Sequence, residues 1–169
     1  MPRLFAPCFV LSLLCACSQE PGAPAEDADG APPRVAVTQS RAGEHYRQEL
    51  ASRVDGERVV FDVFEPAQLE AGKTYPLVLQ GEGFGDSRIT TLGGFVERLV
   101  KAGYYVITID HRGFGEAGGK IRVQSPDFEG QDLIQILDWA EDLPGLKRRA
   151  NGKMMVGSWG DSYGGLYQF

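Results

Sequence analysis

The residues that could do chemistry stand near the end of the chain, where a serine lies inside a glycine-rich turn. Gly160-Asp161-Ser162-Tyr163-Gly164 has the form Gly-x-Ser-x-Gly and follows the short apolar run Met154-Met155-Val156. An apolar strand that leads into this pattern is typical of a nucleophile elbow, a tight strand-to-helix turn that exposes the serine Oγ. The pattern predicts Ser162 as a nucleophile; the alternative is a glycine-rich turn with a structural serine.

A serine that attacks a carbonyl carbon also needs N–H groups that stabilise the negative charge formed on the carbonyl oxygen. In a nucleophile elbow, the N–H of the residue after the nucleophile supplies one of these donors. We therefore predict the backbone N–H of Tyr163 as an oxyanion donor.

The elements that must position this serine can be predicted from the spacing of apolar residues. Asp55-Gly56 is a strong signal for a two-residue hairpin turn between strands at 45–54 and 57–65, the second of them half-buried. Further short apolar runs predict strands at 75–80, 104–109 and 153–158.

Two segments between these strands have apolar residues at helical spacing, 91–102 and 128–143. The second segment is predicted to bury one face that carries Leu133, Ile134, Leu137 and Ala140. A hairpin followed by strand, helix, strand, helix and strand predicts an α/β fold with a mostly parallel sheet and an antiparallel N-terminal hairpin.

Three motifs give this pattern a more specific interpretation. Asp110-His111-Arg112-Gly113-Phe114-Gly115, Glu129-Gly130-Gln131-Asp132 and Ser162-Tyr163-Gly164-Gly165 occur in this order along the chain. Together they resemble the Xaa-Pro dipeptidyl-peptidase-like and cocaine-esterase-type branch of the α/β-hydrolases, from about Arg58 to the C-terminus. The resemblance implies an α/β-hydrolase fold truncated after the nucleophile elbow, with Ser162 as the serine nucleophile.

The resemblance also places the glycine-rich loop at 80–85 where an α/β-hydrolase has its oxyanion loop. It implies the N–H of Phe84 as the second oxyanion donor, although Glu82 stands where many relatives have histidine. The alternative is a turn that merely requires glycine. The Asp110 and Arg112 side chains are expected to fix the loop after their strand.

Neither of the two histidines, His45 and His111, is expected to act as the base for Ser162. With the family's strand order, His111 ends a strand two positions away from the nucleophile strand, about 10 Å at ordinary strand spacing. A base has to come within about 3 Å of the serine Oγ. The family's chain order then places the catalytic acid and histidine after Ser162, in a missing C-terminal half.

The first 34 residues have the pattern of an export signal followed by a tether. Arg3 precedes an apolar run from Leu4 to Ala16, which is too short to span a bilayer as a helix. Leu14-Cys15-Ala16-Cys17 resembles the bacterial lipobox, which implies cleavage after residue 16 and lipid on Cys17. The alternative is an ordinary secretory signal with incidental cysteines. Residues 17–34 are predicted to be a disordered Pro-, Ala- and acid-rich tether before a partial hydrolase domain at 35–169.

Composition excludes several other classes of function. The chain of 169 residues carries a net charge of −6 and no dense basic cluster, which argues against nucleic acid as a partner. All three cysteines lie within the first 17 residues, and the histidines and acids lack metal-ligand spacing. We expect neither a metal nor another cofactor.

These patterns predict a lipid-anchored serine hydrolase on the cell envelope of a bacterium, in the outer membrane if the cell is Gram-negative. Its substrate would be a small peptide, ester or amide, and Xaa-Pro dipeptide release is one possibility within the branch. This chain would carry the nucleophile without the acid and histidine of the triad. The alternative is a truncated, non-catalytic lipoprotein or binding fragment.

Overall fold

The computed structural model describes residues 35–168. The predicted signal peptide, the predicted lipid-bearing Cys17 and the whole predicted tether lie outside the described residues. The strands are β1 (Arg41–Ala42), β2 (His45–Ala51), β3 (Arg58–Phe64), β4 (Gln68–Leu69), β5 (Leu77–Gly81), β6 (Tyr105–Ile109) and β7 (Val156–Gly160). The helices are α1 (Gly94–Lys101), α2 (Glu129–Ala140) and α3 (Ser162–Gly165), and a 3₁₀ turn (Leu166–Gln168) follows α3.

Five of the strands form one mixed sheet in the order β2-β3-β6-β5-β7. β5 lies between β6 and β7 and is parallel to both, whereas β2, β3 and β6 are antiparallel neighbours. β1 and β4 pair separately in a short antiparallel ribbon. This arrangement confirms the predicted α/β class, with a parallel part and an N-terminal antiparallel hairpin.

The hairpin differs from its prediction in two ways. The strands stop at Ala51 and resume at Arg58, so residues 52–57 form the turn. The Ser52 N–H donates to the Glu57 carbonyl at 2.7 Å, which closes a wider loop than the predicted two-residue turn.

The prediction that β3 is half-buried was wrong, because both of its faces are covered. Val59, Phe61 and Val63 pack into the larger core cluster, while Phe64 packs with residues of α1 and β6 in a second cluster. Burial on both faces is common where a strand lies inside a sheet that has helices on both sides.

Helix α2 buries a partly different face from the one predicted. Ile136 and Ala140 are buried, but Ile134 is 48% exposed. The polar side chains of Asp132 and Gln135 are buried instead. They bind the hairpin turn, because Asp132 accepts a hydrogen bond from Ser52 and the Gln135 amide bonds backbone groups of residues 51 and 53.

The sheet brings three chain segments together at the carboxyl ends of its parallel strands. β5 ends at Gly81, β6 leads into Asp110 and His111, and β7 ends at Gly160, two residues before Ser162. In open α/β sheets ligands bind at this edge. The predicted nucleophile, the predicted oxyanion loop and the Asp110–Gly115 motif therefore share one end of the molecule.

Candidate active site

Ser162 lies in a strained turn between β7 and α3. Its φ is +46°, a left-handed conformation that residues with a β-carbon rarely adopt. The turn is also sterically tight, because a β-carbon at Gly160 would overlap the Gly164 carbonyl. Ser162 itself is exposed. This is the local geometry that a nucleophile elbow requires.

The glycine-rich loop after β5 packs directly against this turn. A β-carbon at Gly164 would overlap the Gly81 carbonyl, so only glycine allows the two backbones to approach. Two residues further along the loop, a β-carbon at Gly83 would lie 3.9 Å from Ser162 Cβ. The loop therefore reaches the predicted nucleophile, and the glycine at 164 allows that approach.

Phe84, the predicted second oxyanion donor, follows Gly83 in this loop. Phe84 is 62% exposed, and its ring makes edge contacts with Phe114 and Tyr163, at centroid distances of 4.9 and 5.6 Å. Tyr163, the other predicted donor, is buried and begins the turn of α3 with Ser162. The roles of both N–H groups stay predictions, and the three aromatic rings contact one another.

Carboxylates also stand close to the loop. A β-carbon at Gly83 would lie 3.5 Å from an Asp86 oxygen and 4.0 Å from an Asp161 oxygen. Glu82 is partly buried and accepts a hydrogen bond from the Gln80 amide at 2.7 Å. Glu82 is therefore held by a side chain of β5, the strand that it follows.

The histidines stand where the strand order predicts. His45 is on β2, where its Nε2 lies 2.6 Å from Asp62. His111 follows β6, two strands away from β7, and is 4% exposed against Tyr163 and Tyr167. Burial lowers the pKa of His111 below its ordinary value, and a hydrogen bond to the Glu82 backbone opposes the shift. Within residues 35–168, neither histidine hydrogen-bonds Ser162.

Asp110 holds the loop after β6, as we expected, whereas Arg112 binds more distant segments. The Asp110 carboxylate accepts hydrogen bonds from the backbone N–H groups of Arg88 and Glu116, at 2.7 and 2.8 Å. Arg112 donates to Asp132 on α2 and to Asp55 in the hairpin turn. Arg112 therefore connects the hairpin to α2, and only Asp110 holds its own loop.

Sequence reasoning missed one residue that contacts the elbow. Gln124 donates to Tyr163 twice, from its backbone N–H to the phenol oxygen at 3.2 Å and from its side-chain amide to the backbone carbonyl at 3.0 Å. Gln124 and Val123 both have left-handed backbone, with φ of +60° and +54°. No sequence signal marks this contact, since Gln124 and Tyr163 are 39 positions apart.

Residues 35–168 contain neither a group of side chains suited to a metal ion nor a helix suited to span a membrane. No group of three or more His, Cys, Asp or Glu side chains there could hold a metal ion. No helix in the same part of the chain has the length and apolar character needed to cross a membrane.

Relatives with this arrangement are found both in sequence and in structure. An Escherichia coli protein, described as an uncharacterized 31.7 kDa protein in the traX-finO intergenic region, is 33% identical over 100 residues, or 59% of this chain and 33% of that protein. Uncharacterized protein PA2218 of Pseudomonas aeruginosa is 27% identical over 118 residues, or 69% of this chain and 31% of that protein.

Solved structures agree with the fold. The crystal structure of PA2218 matches with a TM-score of 0.52 and 25% identity, over 69% of this chain and 34% of that one. An acylaminoacyl peptidase of Pyrococcus horikoshii matches with a TM-score of 0.57 and 16% identity, over 76% of this chain and 21% of that one. The second likeness shows the fold alone.

The chain spans about a third of the length of the curated relatives described above. The sequence profile of the X-Pro dipeptidyl-peptidase (S15) family matches residues 55–169, which include β3 and the whole arrangement around Ser162. The expected resemblance is confirmed: the chain belongs to the X-Pro dipeptidyl-peptidase (S15) family, and its fold is that of an α/β-hydrolase.

Proposed function

We propose that this chain is the nucleophile-bearing part of a serine hydrolase that cleaves peptide, ester or amide bonds. The observation that supports this most directly is the φ of +46° at exposed Ser162. Backbone strain of this kind costs about 1–3 kcal/mol and concentrates at functional sites. A serine with only a structural role in a glycine-rich turn has no need of this conformation.

The chemistry follows from the arrangement around Ser162. Its Oγ attacks the carbonyl carbon of the substrate and loses its proton to a base, and the leaving group then departs with a proton. Water hydrolyses the resulting acyl-enzyme. The N–H groups of Tyr163 and Phe84 are the proposed donors to the oxyanion, which is the role that residues in these positions have in the fold.

We place the base and its acid partner beyond residue 169. No hydrogen bond joins Ser162 to either histidine of the described part, residues 35–168. In this fold the chain order of the triad is serine, then acid, then histidine. The proposed peptide, ester or amide substrate fits the family, and Xaa-Pro dipeptides are its first candidates.

The proposal also includes attachment to a membrane through lipid on Cys17, in the envelope of a bacterium. Its basis is the sequence Leu14-Cys15-Ala16-Cys17 after an apolar segment. Several acyl chains on one residue give stable attachment, whereas a single chain does not. Residues 18–34 would then separate the domain from the membrane surface.

The test is covalent labelling of the protein expressed from its gene with any coding sequence that follows codon 169. A fluorophosphonate is expected to label the wild-type protein at Ser162, and Ser162→Ala is expected to lose both labelling and turnover. Ser158→Ala is the matched control, because Ser158 is an exposed serine on β7, the strand that leads into the turn of Ser162. Labelling that survives in Ser162→Ala would contradict the assignment.

Substrate class is tested on the same preparation with chromogenic Xaa-Pro dipeptides and activated short-chain esters. Turnover of the dipeptides supports a peptidase, and turnover of the esters alone supports an esterase or acylase. The second candidate function is a non-catalytic lipoprotein or binding fragment, in which Ser162 would have no histidine as its hydrogen-bonding partner, as is the case within residues 35–168. Absence of both labelling and turnover would support that alternative.

A further inference from the structure

Residues 122–125 form a strained loop that is fixed from one side by a single buried carboxylate. Glu129 at the start of α2 is 3% exposed and accepts hydrogen bonds from the N–H groups of Arg122 and Ser125, at 2.6 and 3.1 Å. Between these two anchors, Val123 and Gln124 have φ of +54° and +60°. Left-handed backbone at a β-branched residue such as valine is a genuine outlier.

The other side of this loop contacts the nucleophile elbow. The two hydrogen bonds from Gln124 hold Tyr163 at both of its polar ends, the phenol oxygen and the backbone carbonyl. The Tyr163 carbonyl also accepts the N–H of Leu166, so Gln124 binds the first turn of α3. A residue held at its side chain and at its carbonyl has little freedom to rotate, and its own N–H is held in direction with it.

We propose that Gln124 is a positioning residue, which holds Tyr163 so that its backbone N–H points at the oxyanion formed when Ser162 is acylated. The inference rests on the proposed function of Ser162. An oxyanion donor acts only if its direction is fixed before the reaction, since its contribution comes from preorganisation. Gln124 does not touch the reacting atoms and acts through Tyr163.

The left-handed backbone of Gln124 makes both of its hydrogen bonds to Tyr163 possible. It turns the N–H of Gln124 and its side chain toward the same partner, Tyr163. Strained residues persist only where their surroundings determine the conformation, which Glu129 and Tyr163 do here. The two hydrogen bonds of Gln124 to Tyr163 therefore explain the strained backbone of Gln124.

The test compares four variants of the full-length protein. Gln124→Met keeps the size of the side chain and removes its amide, and Gln124→Gly removes the side chain but tolerates the positive φ. Val123→Gly relieves strain at the neighbouring position and keeps both hydrogen bonds. Gln131→Met is the matched control, because exposed Gln131 donates to a backbone carbonyl of the same region, that of Pro126, without touching the elbow.

The first measurement is the rate of fluorophosphonate labelling at Ser162, at a temperature well below melting. Gln124→Met and Gln124→Gly are expected to slow labelling about tenfold, equivalent to about 1.4 kcal/mol of transition-state stabilisation. Val123→Gly and Gln131→Met are expected to react at the wild-type rate. Thermal melting tests whether slow labelling is caused by lost stability instead of lost positioning. Gln124→Gly is expected to melt at or above the melting temperature of Gln124→Met, although both variants are expected to label slowly.

The second measurement does not depend on catalysis. The N–H groups of Gly165 and Leu166 bond the carbonyls of Asp161 and Tyr163 in the first turn of α3. Hydrogen exchange in the peptide that contains Gly165 and Leu166 is therefore expected to rise in both Gln124 variants. Unchanged exchange, or labelling that slows equally in Val123→Gly, would overturn the inference. If the wild-type protein is not labelled, the proposed function fails, and the exchange result alone decides whether Gln124 orders the elbow.

Discussion

Arg88 and Asp110 form an ion pair whose side chains are only 3% and 0% exposed. The Arg88 guanidinium also donates to the buried Asp62 carboxylate on β3, at 2.5 Å, and to Glu116, at 3.1 Å. One arginine thus holds the loop after β5, the strand β3 and the loop after β6. The Asp110 carboxylate is part of the Asp-x-Arg-Gly-x-Gly motif, whose role here is to fix loops around the site.

Removal of Arg88 is expected to be among the most damaging changes outside the elbow. Arg88→Met leaves the Asp62 and Asp110 carboxylates buried without their cation, which costs about 3–5 kcal/mol. Arg53→Ala is the matched control, since its ion pair with Asp138 is exposed on both sides and is worth at most about 1 kcal/mol. Urea unfolding measures both values, and an equal loss in the two variants would contradict this account.

The close approach of Gly164 to the Gly81 carbonyl can be tested with a second pair of variants. Gly164→Ala places a β-carbon on the Gly81 carbonyl and is expected to destabilise the protein by about 1–3 kcal/mol, the usual cost of overpacking. Gly157→Ala, on the same strand as Gly160, has nothing within 4 Å of the added atom and is expected to be nearly neutral.

The measurements for these glycine variants are thermal melting and phosphonate labelling of Ser162. Gly164→Ala is expected to lose labelling as well, because the loop that carries Phe84 has to move away from the elbow. A Gly164→Ala protein with wild-type melting and wild-type labelling would show that the loop and elbow are not packed as described.

The lowered pKa of His111 leads to a prediction of how the stability of the protein depends on pH. Burial lowers its pKa in the folded state below the ordinary value of 6.5, so the unfolded state binds a proton more readily. The contribution of His111 to stability is therefore complete above pH 6.5 and is lost as the pH falls toward the folded-state pKa. Melting curves at intervals between pH 7.5 and 5 measure this loss.

His111→Gln is expected to remove that component of the pH dependence, because glutamine does not titrate. The variant keeps a side-chain N–H that can bond the Glu82 backbone. If the loss of stability between pH 7.5 and 5 has the same size in His111→Gln as in the wild-type protein, the assignment to His111 is wrong.

The proposal for Cys17 predicts a modified N-terminus. Mass spectrometry of the mature protein from bacterial membranes is expected to find residue 17 first, with the mass of a diacylglyceryl group on its sulfur. Cys17→Ala is expected to leave the membrane fraction, whereas Cys15→Ala, two residues earlier, is expected to remain in it. An unmodified N-terminus would exclude lipid attachment.

The sequence by itself determined the order of elements and the identity of the elbow. Strands β5, β6 and β7 and helices α1 and α2 lie within their predicted ranges or extend past them by no more than two residues. This succeeded because apolar spacing and glycine at tight turns reflect local steric rules. The position of Ser162 in a strained turn follows from the same local rules.

Only the tertiary structure decided which polar side chains are buried and what they bind. Asp132 and Gln135 are on the buried face of α2, although the apolar pattern did not include them, because Ser52, Arg53 and Arg112, from distant parts of the chain, satisfy them. Buried polar groups need hydrogen-bonding partners, and a one-dimensional pattern does not show which distant residue supplies them.

The same reason explains why Gln124 was missed. Its backbone conformation is unfavourable locally, so no local pattern predicts it, and its partner Tyr163 is 39 positions away. A strained residue is stable only when contacts made after folding determine it. The turn that carries Ser162 was thus visible in the sequence, and the residues that hold this turn in place were decided by the packing of the folded chain.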